Sequence, residues 1–429
     1  VHKNLRVSET LAYRRHLLIA RVNLVAVKGD TKGRDIDHRL SFTFTFNGRP
    51  VEAYEGDSVA SALVRAGIFV FSRSLKFHRP RGVHCGAGRC YSCAMRVNGV
   101  PGVRTCSTRA ERGMVVETEG GFPTMDTDLL SLTDHMFRRQ FDYHSRFIRP
   151  RFMTPFYQKI VRRMTSPRRL PDDPKEFSPF ESIDADILIV GHGVSGAAAT
   201  DRLRSLGLSP VVTDRHGTDV FPPAFAFGLY EDGRMGLLSE TGGMLVKARA
   251  VLLATGRVET GLDVPNADLP GVMLPEAIEH FVSRGVRPGE EAVVIGDGEL
   301  RAETIELLEH SGCRVVGEIR DYRKVLRIVG GGRVRGVESA GSDGRKRKRR
   351  CDLVVLLGPL VPYVPLAQQA GVDLRAVGDF WCIGVDGSGN TSVVGVFGSG
   401  GAAGFVGERE RAASGVRAAD RIARFLEAR

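Results

Sequence analysis

Cys85, Cys90, Cys93 and Cys106 are spaced C-x4-C-x2-C-x12-C. The first three follow the run that plant-type [2Fe–2S] proteins use, and a fourth thiolate further along completes a set of four. Three ligands on one tight loop must face an iron pair from one side. Gly86 and Gly88 let that backbone turn inward without a Cβ in the way. A zinc site would show two C-x2-C pairs, and this run has one. A disulfide framework suits a short secreted chain, whereas this chain has 429 residues and only seven cysteines. The other three, Cys313, Cys351 and Cys382, lie far apart and read as small buried hydrophobes. The chemistry the run predicts is one-electron transfer.

A second constellation lies in DADILIVGHGVSGAAATDRLRSLGLSPVVTD. A buried strand runs into Gly191, Gly193 and Gly196, then a helix opening on small residues, then a strand ending in Asp214. This is the dinucleotide-binding βαβ fingerprint. The first glycine makes the turn and the second lets a pyrophosphate approach. The third lets the helix pack on the strand, and the helix N-terminus faces the phosphates. Asp214 is placed for ribose hydroxyls and disfavours a 2′-phosphate, so NAD or FAD is expected rather than NADP. ARAVLLATGRVE contributes Thr255 and Gly256 to the same cofactor site.

EAVVIGDGELRAETIELLEHSGCRVVGEIRD repeats the pattern with Gly296 and Gly298, but Arg301 stands in the third glycine's place. That side chain would crowd helix against strand, so a bound nucleotide is not expected there. Of the histidines near these motifs, His192 sits inside the glycine loop, and His84 precedes a cysteine. His78 falls in the stretch SRSLKFHRPRG and is expected to brace the cysteine loop or meet a partner. No acid–base or nucleophile constellation emerges, so no catalytic residue is assigned.

The elements that must position these groups follow from patterning. SFTFTFNGRPVEAYEG alternates as two strands about an Asn47-Gly48 turn. Asp57 or Ser58 caps a short helix that stops at Gly67. Strand, turn, strand, helix and cysteine loop, closed by the strand MVVETEG, is the order of a β-grasp ferredoxin domain. The fold class is therefore α+β joined to α/β: a β-grasp [2Fe–2S] domain, then a Rossmann-type two-dinucleotide FAD/NAD(P) scaffold. The expected segments are a basic extension over 1–38, the [2Fe–2S] domain over 39–120 and a connector arm over 121–182. The first dinucleotide domain covers 183–260 and 355–429, with the second inserted at 261–354. The connector is expected to hold the helices MDTDLLSLTDHMF and PFYQKIVRRM before the linker SPRRLPDDPKEFSP.

Hydrophobic content of 42% and charged content of 26% exclude a disordered or fibrous chain. No apolar run approaches the roughly 20 residues of a membrane helix, and HLLIARVNLVAV is short, interrupted by Arg21 and without a cleavage site. A soluble cytoplasmic protein is expected. The net charge of +11 draws on the run RKRKRR at Arg345–Arg350. Nucleic-acid binding would want interleaved aromatics for stacking. A solvated hairpin arm is the simpler reading.

The stretch SRSLKFHRPRGVHCGAGRCYSCAMRVNGVPGVRTC resembles the iron–sulfur domain of α subunits of multi-subunit amine and amino-acid oxidoreductases. Heterotetrameric sarcosine oxidase, hydrogen cyanide synthase and dye-linked proline dehydrogenase belong to that group. The resemblance continues through ATGRVETGLDVPNADLPGVML and the C-terminal return. It implies an oxidoreductase subunit in a hetero-oligomer, with the substrate site and FAD on a β-type partner. It also implies a cluster on Cys85, Cys90, Cys93 and Cys106, and an ADP moiety on Gly191, Gly193, Gly196 and Asp214. Three departures stand out. Gly401 replaces the aspartate that usually binds the flavin ribityl chain in this superfamily, and the segment between Asp214 and Ala254 is short. An aminomethyltransferase-like C-terminal half, as long sarcosine oxidase α subunits carry, is not expected. An electron-transfer subunit is the leading expectation. The alternatives are a self-contained NADH-dependent flavin/iron–sulfur reductase and an architectural subunit with a degenerate nucleotide site.

Overall fold

A computed structural model describes residues 40–74, 77–119, 121, 128, 131, 152, 155, 180–215, 224–239, 242–341 and 343–428. The expected basic extension over 1–38, nearly all of both connector helices and the linker lie outside the described residues. The chain divides into two compact units. One comprises the described residues of Val1–Pro174 with Glu259–Pro359, and the other those of Lys175–Val258 with Leu360–Arg429.

In the first unit, a five-stranded sheet has the order Arg49–Tyr54, Ser41–Phe46, Val115–Glu117, Ala94–Val97, Val100–Arg104. Ser41–Phe46 pairs antiparallel with Arg49–Tyr54 and parallel with Val115–Glu117, which is β-grasp topology. Asn47 and Gly48, at φ 47° and 77°, make the turn whose twist suits a two-residue hairpin. The helix Val59–Arg65 begins at Ser58, whose Oγ accepts the Ser61 N–H at 3.0 Å. Asp57 does a different job. Its buried carboxylate accepts from the Tyr54 N–H at 2.9 Å, the Ser61 hydroxyl at 2.7 Å and the Arg65 guanidinium at 3.0 Å.

The same unit contains a parallel sheet ordered Val272–Met273, Leu353–Leu357, Glu291–Gly296, Arg314–Ile319, with the helices Pro275–Val282 and Arg301–His310. One apolar core runs from Phe44, Leu63 and Phe71 to Ala277, Phe281, Val294 and Leu353. Burial of this kind stabilises by about 25 cal/mol per Å² of apolar surface removed from water, so the two sheets are held by a shared core. A three-stranded antiparallel sheet completes the unit, and its last strand, Lys346–Arg349, is the basic run. Its side chains are exposed, and Lys346 reaches Glu338 of the neighbouring strand at 2.7 Å. It is a solvated hairpin strand.

The second unit is built on the strands Ala224–Leu229, Arg234–Ser239, Gly242–Leu253, Glu181–Val190 and Val211–Thr213, in that order, with Val396–Gly398 also pairing Gly242–Leu253. Gly242–Leu253 changes partners along its length within this one sheet. Its first half pairs antiparallel with Arg234–Ser239, and its last residues lie parallel between Glu181–Val190 and Val396–Gly398. Helices Val194–Ser205 and Glu408–Glu427 pack on one face through Ala199, Leu203, Ala418 and Ile422. Among the described residues, no helix is long and apolar enough to cross a membrane.

Candidate functional site

The loop after Pro80–Arg81 carries the first three cysteines, and Cys106 follows the strand Val100–Arg104. Gly86 and Gly88 adopt φ of 66° and 69°, which an L side chain rarely takes. At Gly86 a Cβ would also lie 2.5 Å from the Ala277 Cα, because the loop is pressed onto the helix Pro275–Val282. Two loop amides point at sulfur: Gly88 N–H donates to Cys106 Sγ at 3.2 Å and Cys90 N–H to Cys85 Sγ at 3.4 Å. Thr105 Oγ1 donates to the Cys93 carbonyl at 2.8 Å and ties the fourth-cysteine segment to the loop. Cys85, Cys93 and Cys106 are buried and Cys90 is partly exposed.

The four thiols compete for protons. Cys85 is held far below the usual thiol range by Cys106 first and then Cys90. Cys93 is lowered to about 7, chiefly by Cys106, while Cys106 and Cys90 are driven up by their thiol neighbours and by burial. Soft-metal binding resolves such a competition by displacing the protons. No three His, Cys, Asp or Glu among the described residues converge on one mononuclear position. A binuclear cluster asks for another arrangement, four thiolates shared between two irons. Four gathered sulfurs, amide donors aimed at two of them and a glycine-turned loop fit a [2Fe–2S] group.

Neighbouring elements fix the loop. The Leu274 N–H donates to the His84 carbonyl at 2.8 Å, and His84 Nδ1 donates to the Val272 carbonyl at 3.0 Å. Burial lowers the His84 pKa against the opposing pull of that hydrogen bond. The hairpin Ser72–Arg73/Pro80–Arg81 reaches the loop through Ser72 Oγ, which donates to the Ser92 carbonyl at 2.8 Å. His78, at φ 52°, closes this hairpin. Its Nδ1 bonds Asp128 at 3.0 Å, and Arg73 joins both, 3.3 Å from Asp128 and 2.7 Å from the His78 carbonyl.

In the second unit the glycine loop lies where the sequence puts it. Gly191 has φ 102°, and a Cβ there would be 2.4 Å from the Ala254 carbonyl oxygen. A Cβ on Gly196 would be 1.9 Å from the Gly191 oxygen, so helix and strand touch through backbone. Around Gly193, the helix N-cap, no atom lies within 4 Å of a built Cβ, leaving open approach for a phosphate. Asp214 Oδ2 accepts the His192 N–H at 2.8 Å, so the carboxylate braces the glycine loop as well as marking the end of its strand. Thr255 Oγ1 donates to the Tyr363 carbonyl at 2.6 Å, and the Gly256 carbonyl accepts the Tyr363 N–H at 3.0 Å. These two residues anchor the loop beside the glycines. A dinucleotide fits this cradle.

Residues 40–121 match the family of 2Fe-2S iron-sulfur cluster binding domains. Over 411 residues the chain is 25% identical to the sarcosine oxidase subunit alpha of Rhizobium meliloti, a match covering 78% of this chain and 41% of that protein. Over 81 residues it is 36% identical to the hydrogen cyanide synthase subunit HcnA of Pseudomonas aeruginosa, covering 19% of this chain and 77% of the subunit. The chain belongs to the [2Fe–2S]-domain family of the sarcosine oxidase α and HcnA subunits. The chain spans about two fifths of the length of its sarcosine oxidase relative. The crystal structure of L-proline dehydrogenase from P. horikoshii has the same fold, with a TM-score of 0.68 at 19% identity over 91% of this chain and 75% of that one.

In this family member two arginines mark departures from a two-dinucleotide protein. Arg257 lies against Gly401, and a Cβ there would be 2.8 Å from its Cγ, so this side chain borders the place of the usual ribityl-binding carboxylate. Arg301, in place of a third glycine, pairs with Glu318 and lies 3.8 Å from Asp297. Glu318 stands near the end of the second strand, where a ribose would seek its acid. The sequence reading missed Pro275–Val282, the helix against which the cysteine loop is pressed, and Glu259, which accepts the N–H of its Glu276. No motif announces them, because the contact is backbone against backbone at Gly86 and Ala277.

Proposed function

We propose that this chain is the electron-transfer subunit of an amine or amino-acid oxidoreductase. Cys85, Cys90, Cys93 and Cys106 hold a [2Fe–2S] cluster, and a flavin-bearing β-type partner in a hetero-oligomer supplies the electrons. The observation that carries this reading is the gathering of the four cysteines on a glycine-turned loop with backbone amides aimed at two sulfurs. The names of the relatives, an oxidase subunit and a synthase subunit, support the division of labour. When bound, the cluster supplies one-electron carriage. The chain's own residues tune it. The Gly88 and Cys90 amides stabilise negative charge on sulfur, and burial of Cys85, Cys93 and Cys106 keeps water away.

The second part of the proposal is an adenine dinucleotide, NAD or FAD, on Gly191, Gly193, Gly196, Asp214, Thr255 and Gly256. Asp214→Ala is expected to weaken NAD or ADP-ribose binding about tenfold, roughly 1.4 kcal/mol, measured by isothermal titration. Unchanged affinity would remove Asp214 from the site. For the relay itself, the chain is mixed anaerobically with its partner and an amine or amino-acid substrate, and the iron signal is followed by EPR. Reduction only when partner and substrate are both present is expected. Oxidation of the substrate by this chain alone would refute the proposed division of labour.

A further inference from the structure

The helix pressed on the cysteine loop brings with it a group of acids that the relay leaves unused. Glu259 caps the start of Pro275–Val282, its Oε2 accepting the Glu276 N–H at 3.0 Å. Glu276 and Glu279 on that helix face it, and the cation facing it is Arg89. Arg89 lies between Gly88 and Cys90 in the cysteine loop, and its Nη1 is 2.5 Å from Glu276 Oε2. Glu259 and Glu276 thus face one guanidinium, and that guanidinium already forms an ion pair with Glu276. A half-buried carboxylate set among like charges has a strong reason to hold a proton.

We propose that Glu259 takes up the proton that compensates an electron arriving on the cysteine-held cluster, with Arg89 as the electrostatic link. The inference rests on the cluster assignment made above. The balance is simple: one electron comes from the partner's reduced flavin, or from dithionite in a titration. One proton passes from solvent to a Glu259 carboxylate oxygen, and no other bond forms or breaks. Burial, with Glu276 and Glu279, already raises the Glu259 carboxyl to about 7 despite the opposing Glu276 N–H and Arg89. Added negative charge on the Arg89 side favours the neutral acid further, so its pKa rises on reduction. Between the oxidised-state and reduced-state values the midpoint potential must fall as pH rises. Outside that window it is flat.

The test is an EPR-monitored potentiometric titration of the full chain at a series of pH values on both sides of neutrality. For the wild type, the reduction equilibrium is expected to weaken by up to tenfold per pH unit above about pH 7, at most about 59 mV for one electron. Glu259→Gln retains an oxygen to accept the Glu276 N–H, so the iron signal should persist while the slope disappears. Proton uptake on reduction, followed with an indicator in weakly buffered wild-type protein, gives a second reading that needs no variant. A normal iron signal with a flat potential and no proton uptake overturns the inference and leaves the relay standing. An unchanged slope in Glu259→Gln overturns it as well. Absence of any reducible iron signal in the wild type overturns the cluster assignment and this inference together.

Discussion

Cys106→Ala is expected to cost the protein nearly all of its iron and acid-labile sulfide, with loss of visible absorption. The physical case rests on position. Cys106 comes from outside the loop that carries the other three cysteines, lies beside both Cys85 and Cys93, and receives the Gly88 N–H at 3.2 Å. Without it one iron lacks a thiolate, and the adjacent Thr105 hydroxyl is committed to the Cys93 carbonyl. Cys90→Ser should fail similarly, because serine's hydroxyl is far harder to deprotonate than a thiol. Cys313→Ala is the matched control. Burial pushes that thiol up to about 12, which keeps it protonated and unfit as a ligand, so iron content should not change. Iron and sulfide per chain are the measurement. Full iron retention in Cys106→Ala would remove that residue from the ligand set.

The second large effect is expected at the glycine loop of the other unit, as a contrast between two glycines three residues apart. Gly196→Val places a Cβ 1.9 Å from the Gly191 oxygen, and neither partner is a flexible side-chain end that can move aside. Overpacking of backbone against backbone should cost roughly 3 kcal/mol or more. Much of the protein should then be insoluble or melt well below the wild type in a thermal scan. Gly193→Ala is different. Its φ of −74° and ψ of −164° suit any residue, and a Cβ there meets nothing within 4 Å. That variant should fold normally and yet bind NAD or ADP-ribose about tenfold more weakly, because the methyl group would stand where a pyrophosphate approaches. Equal thermal stability of both variants would show that the loop is not packed as described.

Local chemistry was legible in the sequence where a few adjacent residues decide the outcome. Asn47-Gly48 needed left-handed backbone, Ser58 needed only its own helix's N–H, and the glycines after Val190 needed contacts within one βαβ unit. The spacing of Cys85, Cys90 and Cys93 likewise prescribed a single loop. What stayed hidden depends on residues far apart in the chain. Nothing in PEAIEHFV says that its Ala277 will sit against Gly86, because small residues in a helix are common for many reasons. Arg301 could be recognised as a departure, but its pairing with Glu318 required the strand Arg314–Ile319 to be placed. Thr255 Oγ1 donates to the Tyr363 carbonyl, a partner no local pattern supplies.

The account stands or falls on what the four cysteines hold. The most direct measurement is EPR of the purified chain before and after reduction by dithionite, with spin integration and iron determined on the same sample. A [2Fe–2S] centre predicts a silent oxidised protein, about two irons per chain and, after reduction, a rhombic signal near one spin per chain. Zinc in place of iron, or an iron-free chain that stays silent after reduction, would contradict it.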